Sequence, residues 1–427
     1  MTKRSYNFHR WSTWGILVGA FIIVFFHRLS MGAVADDLSK ELGIGGATLG
    51  NLTSMTFYSY ALMQIPVGIM VDTIGVRKIC SIGMALTALG SILFGLSSSI
   101  GIAYFSRFIV GIGTSVIIVS IMKVQSQWFT RKKYSTLSGL TSFFGNLGAL
   151  LATFPLTYLV ISLGWRNTFM FLGVITAVLA MGIFILVRDT PEELGFKSVH
   201  KRESNKKLIE GIKDVVKNKY TWPNFFIILT LVGSTTAILG LWGISYIVHV
   251  YEVTKQQASW YLSFISFGFI AGAPIVGKFS DMLNGEIKRI LAISTTIFTL
   301  VWIYILLIQK GIPPIEQLPV LFFVIGLCVI THILIFTNVK EVNDLNFSGI
   351  ATAIVNVGEF VGSALVSLVI GLILERGWSG KLIDGVKVYN LKDYRHAFSF
   401  VIIAGIISII ASLVMKDVKE TSSETIK

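Results

Sequence analysis

Long apolar segments separated by short polar gaps run through this 427-residue sequence. A helix needs about 20 mostly apolar residues to cross the hydrocarbon core of a bilayer, which is about 30 Å thick. A segment in lipid must be helical, because only a helix pairs every backbone N–H and C=O group within the segment itself. The sequence therefore predicts an all-α membrane protein with twelve transmembrane helices. The segments are 12–36, 47–71, 79–97, 101–124, 135–161, 168–187, 223–248, 259–279, 290–308, 319–339, 348–374 and 397–415.

The composition excludes an ordinary soluble domain. Charged residues make up 14% of the chain, whereas soluble domains carry about 25%. The first segment resembles a signal peptide, since Lys3 and Arg4 precede it and Ala33 to Ala35 resemble a cleavage site. It is too long for a signal peptide and eleven further segments follow, so we interpret it as a retained first helix.

The distribution of basic residues predicts the orientation in the membrane. An even number of spans places both termini on one side, and 24 of the 36 Lys and Arg residues fall in the termini and loops of that side. Basic loops stay in the cytoplasm, so both termini are predicted to be cytoplasmic. This distribution relates the net charge of +13 to the lipid bilayer and not to nucleic acid. The short loops and the lack of a targeting extension favour a bacterial inner membrane.

Two pairs of similar segments indicate an internal duplication. GIMVD at 68–72 is similar to GKFSD at 277–281, with the Gly and the Asp each 209 residues apart. SGLTSFFGNLGA at 138–149 is similar to SGIATAIVNVGE at 348–359, with four positions 210 residues apart. Internal repeats are typical of secondary transporters, whose substrate site lies near the middle of the membrane between the repeats.

The longest polar stretch, 188–221, divides the chain into two parts. We expect it to be a cytoplasmic linker that includes a short amphipathic helix. It separates an N-terminal six-helix bundle, 1–187, from a C-terminal six-helix bundle, 222–427. The sequence has no Gly-rich phosphate loop and no His or Cys pair at metal-ligand spacing. It therefore predicts neither an enzyme nor a bound cofactor or metal, and an ion gradient or the substrate's own gradient would drive transport.

The stretch GIMVDTIGVRK carries a Gly, an Asp four residues later, and then a Gly and a basic pair. It resembles the signature between helices 2 and 3 of the major facilitator superfamily, a family of transporters. An Asp at the end of helix 2 can meet the N-terminus of another helix or a basic residue, which would hold one conformation. The residues of this predicted conformational latch are Gly68, Asp72, Gly75, Arg77 and Lys78, with Gly277 and Asp281 in the second half.

Other motifs refine the resemblance. RFIVGIG at 107–113 resembles the helix 4 signature of the superfamily, in which the Arg, here Arg107, is linked to proton coupling or to the substrate cavity. Helix 5 lacks the Gly-Pro signature of the drug–proton antiporters. The Arg of helix 1, QIPVG at 64–68 and GWRNTF at 164–169 resemble the anion–cation symporter and organophosphate-transporter side of the superfamily. The resemblance also implies a monomer.

Arg28 is predicted to lie roughly 21 Å along a first helix that crosses about 30 Å of membrane. An Arg at that depth costs at least about 2.5 kcal/mol, so it needs a wet cavity or a partner. Its planar fork matches a carboxylate or a phosphate, which favours binding of an anionic substrate group. The alternatives are a permanent ion pair that holds helices together, or snorkelling. His27 lies on another side of the helix, and we interpret it as a packing residue.

Glu359 is predicted near the middle of helix 11, roughly 16 Å from its start. Its counterpart in the first repeat is Ala149, so only the second half carries an acid at this position. A carboxyl group inside the membrane suits the uptake and release of a proton, which favours proton coupling. The alternative is a fixed pair with an Arg or a Lys.

Several weaker candidates for contact with the substrate lie on other predicted helices. They are Asn51, Tyr58, Trp242, Tyr246 and Asn356. Lys123 lies about 24 Å beyond Arg107 along helix 4. It is either a second anion contact near the cytoplasm or a snorkelling Lys at the membrane interface.

These residues predict a secondary transporter that moves a small organic anion together with protons by alternating access. The substrate would be a carboxylate, an amino acid or a phosphorylated metabolite. Arg28 would anchor the anion, Arg107 would be a second cation or a coupling partner, and Glu359 would carry the proton. One alternative is a transporter of neutral or zwitterionic solutes, with Arg28 and Glu359 as a structural or gating pair. Another is a transporter-like sensor that binds a ligand and signals through a partner.

Overall fold

A computed structural model describes residues 3–195, 208–282, 286–344 and 347–417. Within these residues, eleven helical segments are long and apolar enough to cross a membrane. They are Tyr6–Leu29, Val76–Gly95, Ile100–Trp128, Thr136–Leu163, Trp165–Leu186, Thr221–Tyr251, Lys255–Val276, Ile287–Ile308, Ile315–Glu341, Ser348–Gly377 and Leu391–Val414. The chain is therefore a helical, multi-pass membrane protein, as its apolar segments predict.

The described residues form nineteen α-helices and one antiparallel pair of short strands. The elements are α1 (Lys3–Leu29), α2 (Met31–Leu42), α3 (Gly46–Ile74), α4 (Val76–Gly95), α5 (Ile100–Thr114), α6 (Val116–Trp128), α7 (Arg131–Leu151), α8 (Phe154–Leu163), α9 (Trp165–Leu186), α10 (Leu208–Lys217), α11 (Thr221–Ile227), α12 (Gly233–Ala237), α13 (Gly243–Tyr251), α14 (Lys255–Met282), α15 (Ile287–Ile303), α16 (Leu318–Val329), α17 (Ile333–Glu341), α18 (Ser348–Gly377), β1 (Leu382–Ile383), β2 (Val386–Lys387) and α19 (Leu391–Val414). Below, the N half means residues up to 187 and the C half means residues from 222.

Several spans that the sequence predicts as single helices contain a break. α5 and α6 meet at Ser115, and a 3-10 turn, Ile330–His332, joins α16 to α17. Two π-helical turns, Ile228–Val232 and Ile238–Trp242, join α11, α12 and α13. Apolar periodicity alone does not reveal such turns, which are frequent where a helix serves a function.

The second predicted span, 47–71, forms α3, which is not among the eleven apolar segments. α3 has 29 residues and is about 43 Å long. Its hydropathy is lower because it carries polar residues, and two of them, Tyr60 and Gln64, are buried. The low hydropathy of α3 therefore reflects a helix that packs partly against protein and not only against lipid.

The N half and the C half meet along α3 and α18. A Cβ atom added to Gly50 would lie 2.5 Å from the backbone oxygen of Ser367, so only glycine permits this approach. One turn further along, the Ser54 hydroxyl donates to the carbonyl oxygen of Ala364 at 2.9 Å. This close seam lies in the first half of α3 and the second half of α18.

The two ends of the molecule differ. We call the end that carries the segment 188–221 the linker face. The backbone N–H of Arg188 donates to Thr13 Oγ1 at 3.4 Å, which places the start of α1 beside the end of α9 at this face. The other end, here the opposite face, carries α2 and the β1–β2 hairpin. The hairpin turn is Asp384-Gly385, with φ angles of 50° and 83°. An Asp-Gly pair is a strong hairpin signal, although the hairpin was not among the predicted elements.

The predicted linker is described only in part, because residues 196–207 lie outside the described ranges. The helix α10 at its end packs against the start of α18. A Cβ atom added to Gly211 would lie 2.5 Å from Ile350 Cδ1, and Val215 is fully buried. The amphipathic helix expected in the linker therefore rests its apolar side on the C half.

Candidate functional site

An ion pair joins the two halves in the middle of the molecule. Arg28 lies at the end of α1, and its Nη1 atom donates to Glu359 Oε1 on α18 at 2.8 Å. The side chains are 8% and 15% exposed. The fork geometry of Arg suits a carboxylate, and burial keeps water from weakening the attraction. The two charged residues that the sequence places deepest in helices 1 and 11 are therefore partners in this structure.

Three aromatic rings surround the Arg28 guanidinium. Its central carbon lies 4.8 Å from the ring centroid of Phe25, 5.2 Å from that of Tyr60 and 4.9 Å from that of Phe360. Tyr60 and Phe360, from different halves, stack with their centroids 3.9 Å apart. Each cation–π contact contributes about 0.5–2 kcal/mol, with the larger values for desolvated cations. The rings hold the guanidinium in place, and the Glu359 carboxylate contacts it at Nη1.

Arg107 has a different environment, inside the N half. It is 1% exposed, and its Nη2 atom donates to the backbone oxygen of His27 at 3.0 Å. Its Nε and Nη1 atoms are buried without a hydrogen-bond partner, and so are both ring nitrogens of His27. No ion pair of Arg107 with an acidic side chain occurs within the described part of the chain. The buried positive charge of Arg107 thus lies against the last turn of α1, at His27, the residue that precedes Arg28.

The predicted latch residues lie at the linker face. Asp72 Oδ1 accepts from Lys123 Nζ at 2.9 Å, and the same ammonium group donates to the backbone oxygen of Val71 at 2.6 Å. In this conformation Asp72 therefore has a basic partner in its own half, and Lys123 lies at the latch and not beside Arg28. Among the described residues, a Cβ atom added to Gly68 would meet nothing within 4 Å, so no neighbouring helix approaches Gly68 closely in this conformation.

The second part of the same motif is held by the end of α9 and by the residues that directly follow it. Gly75 has a φ angle of 95°, which favours glycine. The Asp189 carboxylate then accepts from the backbone N–H of Arg77 at 2.6 Å, at the start of α4. Arg77 Nε donates to the Phe184 carbonyl oxygen at 2.6 Å, and Lys78 is exposed. Gly277 and Asp281, the second-half copies, lie in α14 where the side chains are outside the described part.

The remaining candidate contacts do not converge on Arg28. Trp242 Nε1 donates to the carbonyl oxygen of Ser367 at 3.0 Å, and the Tyr246 hydroxyl donates to that of Gly311 at 2.7 Å. Both aromatic side chains are buried in the C half. The other candidates are Asn51, which donates to the Tyr104 hydroxyl at 3.3 Å, Tyr58, which is exposed, and Asn356, which is half-buried.

Phe360 and His332 are two residues near the ion pair that the sequence did not predict. Phe360 follows Glu359 directly and supplies one wall around Arg28. His332 lies in the 3-10 turn between α16 and α17, with Nδ1 2.8 Å from the carbonyl oxygen of Val329, and it is within electrostatic range of Glu359. His332 is a titratable residue in the middle of the tenth apolar segment, 319–339, and this feature could have identified it from the sequence.

In this conformation the halves are joined at the opposite face. Besides the seam of α3 and α18, Lys255 of the C half pairs with Asp37 at 2.9 Å and with Asp36 at 3.5 Å in the N half. On the part of α3 nearer the linker face, Leu62 and Ile65 are exposed. The molecule is thus closed at the opposite face, and the Arg28–Glu359 pair lies on the inner side of this closure.

A membrane-embedded helical bundle with a buried ion pair between its two halves is typical of transport proteins. The chain belongs to the Major Facilitator Superfamily, whose family model matches residues 16–339 and 242–427. This confirms the predicted family and, with it, that the chain is not an enzyme.

Individual relatives agree with this family. A probable L-galactonate transporter of Escherichia coli (strain K12) is 25% identical over 293 residues, which cover 67% of this chain and 64% of that protein. This chain thus spans just under two thirds of its length. The membrane sensor protein UhpC of the same organism is 23% identical over 379 residues, or 84% of this chain and 85% of UhpC.

A solved structure shares the fold. It is a bacterial homologue of the human lysosomal transporter Spinster, in an inward-facing and unoccupied conformation. It superimposes with a TM-score of 0.76 at 15% identity, covering 97% of this chain and 98% of the other.

Proposed function

We propose that the chain is a secondary transporter that moves a small organic anion together with protons by alternating access. Its twelve spans would be the eleven apolar segments and α3, which has the length to cross and packs at the centre of the bundle. The linker face would be cytoplasmic, because the start of α1 and the end of α19 lie there and the sequence assigns most basic residues to the loops of that side. A bacterial inner membrane and a monomer are the expected setting.

The Arg28–Glu359 ion pair carries this proposal. Glu359 contacts Nη1 of the guanidinium at 2.8 Å, beside the aromatic rings. A substrate carboxylate that takes this position on Arg28 displaces the Glu359 carboxylate, which then loses its counter-charge inside the protein. An unpaired buried carboxylate is costly and takes up a proton. Anion binding and protonation of Glu359 are therefore linked, and the pair reforms when both have left.

The substrate class rests on charge and on the relatives. Arg28 and Arg107 give the centre of the molecule two positive charges, and Glu359 supplies one negative charge. This balance favours an anion over a neutral or cationic solute. L-galactonate, named for the relative from Escherichia coli, is a sugar carboxylate of this kind.

A ligand sensor is a second candidate, because UhpC is named as a membrane sensor and its similarity covers 84% of this chain. A sensor would bind the same anion through Arg28 but would not move it across the membrane. Binding and transport must therefore be measured separately.

A thermal-shift screen tests binding on the detergent-purified protein. The panel holds a sugar carboxylate, a hexose phosphate, an acidic amino acid and a neutral hexose, with Arg28→Gln and Glu359→Gln as matched variants. At 100 times its dissociation constant, a ligand adds about 2.7 kcal/mol of stability. We expect anions to stabilise the wild type, to stabilise Glu359→Gln more strongly because the competing carboxylate is gone, and to leave Arg28→Gln unchanged. Stabilisation by the neutral hexose alone would instead support a structural ion pair and a neutral solute.

Uptake of the active anion into liposomes then separates the two functions. A transporter accumulates the anion when the outside is acidic, and Glu359→Gln exchanges it without responding to the pH gradient. Binding without any uptake by the wild type would establish the sensor.

A further inference from the structure

A carboxylate of the C half caps the first turn of α3 in the N half. The backbone N–H of Gly46 donates to Glu375 Oε2 at 2.7 Å and to the Tyr389 hydroxyl oxygen at 2.7 Å. Glu375 lies near the end of α18, at the opposite face, about 24 Å along the helix from Glu359. It is thus distinct from the Arg28–Glu359 pair, although both carboxylates are on the same helix.

The capping carboxylate is itself held in place. Tyr389 donates its hydroxyl proton to Glu375 Oε2 at 3.1 Å, and Lys387 Nζ pairs with Oε1 at 2.5 Å. Burial raises the pKa of Tyr389 well above its ordinary value, so its hydroxyl stays a donor. The β1–β2 hairpin and the loop after it therefore orient Glu375 toward α3.

α3 has no side-chain cap of its own. Its N-cap residue is Gly45, and no side chain of that residue is available for the free N–H groups of the first turn. A helix N-terminus carries a partial positive charge, which a carboxylate stabilises. A Cβ atom added to Gly45 would collide with the Glu375 carboxylate, so glycine is also what admits this cap. The cap of α3 comes from the other half, and it exists only while the halves are closed at this end.

The geometry assigns Glu375 as the latch of the opposite face, the counterpart of Asp72 at the linker face. In this conformation Glu375 bonds across the halves, whereas Asp72 bonds to Lys123 within its own half. Opening the opposite face must pull Glu375 away from Gly46, so the cap stabilises the state that is open toward the linker face. This assignment rests on alternating access and not on the identity of the substrate.

Cysteine accessibility tests the latch without any substrate. The background replaces the two native cysteines, Cys80→Ala and Cys328→Ala. Ser367→Cys reports on the seam at the opposite face, where the native side chain is buried. Ala353→Cys, on the half-buried early part of α18, reports on the side toward the linker face. Membrane fragments open on both sides are treated with a charged thiol reagent, and the labelling rate at each position is measured.

Glu375→Ala should move the two reporters in opposite directions. We expect labelling at position 367 to rise about fivefold and labelling at position 353 to fall, because loss of a helix-terminus contact shifts the balance between states by this order. Glu375→Gln keeps the shape and loses the charge, so it should give the same change at about twofold. It also decides the question if the alanine variant does not fold.

The matched control is Asp393→Asn. Asp393 caps α19 within the C half, where its side chain accepts from the backbone N–H of Asn390 at 2.9 Å. This variant should leave both reporters unchanged. The latch is rejected if Glu375 variants leave both rates unchanged, if they raise both rates together as a loosened fold would, or if the control gives the same pattern. An anion screen without a hit would not affect any of these outcomes.

Discussion

Arg28 and Arg107 are both buried within one region of the N half, yet their bonding partners differ. Arg28 bonds to a carboxylate from the other half, and three aromatic rings surround it. Arg107 bonds to the backbone of its own half and leaves two nitrogens without a partner. The partner of the first charge depends on how the halves are arranged, whereas the contacts of the second lie within its own half.

Of these two arginines, only Arg28 has a partner that it can exchange when the halves move. A residue that bonds across the halves gains or loses its partner when the halves move, so substrate, proton and conformation can all act on it. A residue that bonds only within its own half affects its neighbours through its charge.

Arg28→Gln should destabilise the protein by about 3 kcal/mol, because it leaves the Glu359 carboxylate buried without its partner. The double variant Arg28→Gln/Glu359→Gln should regain most of this loss while transport stays abolished. Unfolding in detergent measures the stabilities as a double-mutant cycle. Additive losses in the cycle would show that the two residues are not coupled in the folded protein.

Arg107→Met should do the reverse. It removes a desolvated charge that has no counter-charge among the described residues, so we expect the free energy of unfolding to rise by about 1 kcal/mol. Transport should nevertheless fall, since the field beside Arg28 is lost. The same unfolding measurement and an uptake assay check both parts. A destabilisation as large as that of Arg28→Gln would reveal an acidic partner in another state and would remove the contrast.

Lys123→Gln should change stability by less than about 1 kcal/mol, because the Asp72 side chain is 53% exposed. It removes the basic partner of Asp72, the carboxylate of the predicted latch, so the population should shift about twofold toward closure of the linker face. The cysteine reporters at positions 353 and 367 measure this shift. Asp72→Asn should not reproduce it, because this variant removes the carboxylate that we expect to hold the linker face closed.

The pair of Arg166 with Glu41 is the exposed reference for Arg28 with Glu359. Partial burial acts to raise the pKa of Glu41, but hydrogen bonds from Arg166 and Trp165 hold it below its ordinary value of 4.5. A lowered folded-state pKa contributes stability above pH 4.5 that is lost as the pH falls through the lower value. We expect Glu41→Gln to cost less than about 1 kcal/mol at pH 7 and nothing in strong acid. A cost that persists in acid would assign the effect to packing.

The sequence predicted the family, the apolar spans and the two charges at the centre, because each follows from a local property such as run length or an ionisable residue in lipid. The pairing of Arg28 with Glu359 was only an alternative, since residues 331 positions apart reveal no distance to each other. Lys123 was considered for the substrate site, but in this conformation it bonds to Asp72. The capping of α3 by Glu375 could not be predicted from the sequence. It requires the C half and the β1–β2 hairpin to lie against Gly45 and Gly46 at the start of α3.

The π-helical turns of the span Thr221–Tyr251 alter how its side chains are aligned. Each such turn holds one residue more than an α-helix requires, and one residue corresponds to about 100° of rotation. Counting in steps of 3.6 from the start of the span therefore assigns Trp242 and Tyr246 to the wrong side. In the structure they point to Ser367 and Gly311 within the C half. The two π-helical turns rotate the later side chains of this span about the helix axis. The number of residues in the span therefore determines where these side chains point, as does their identity.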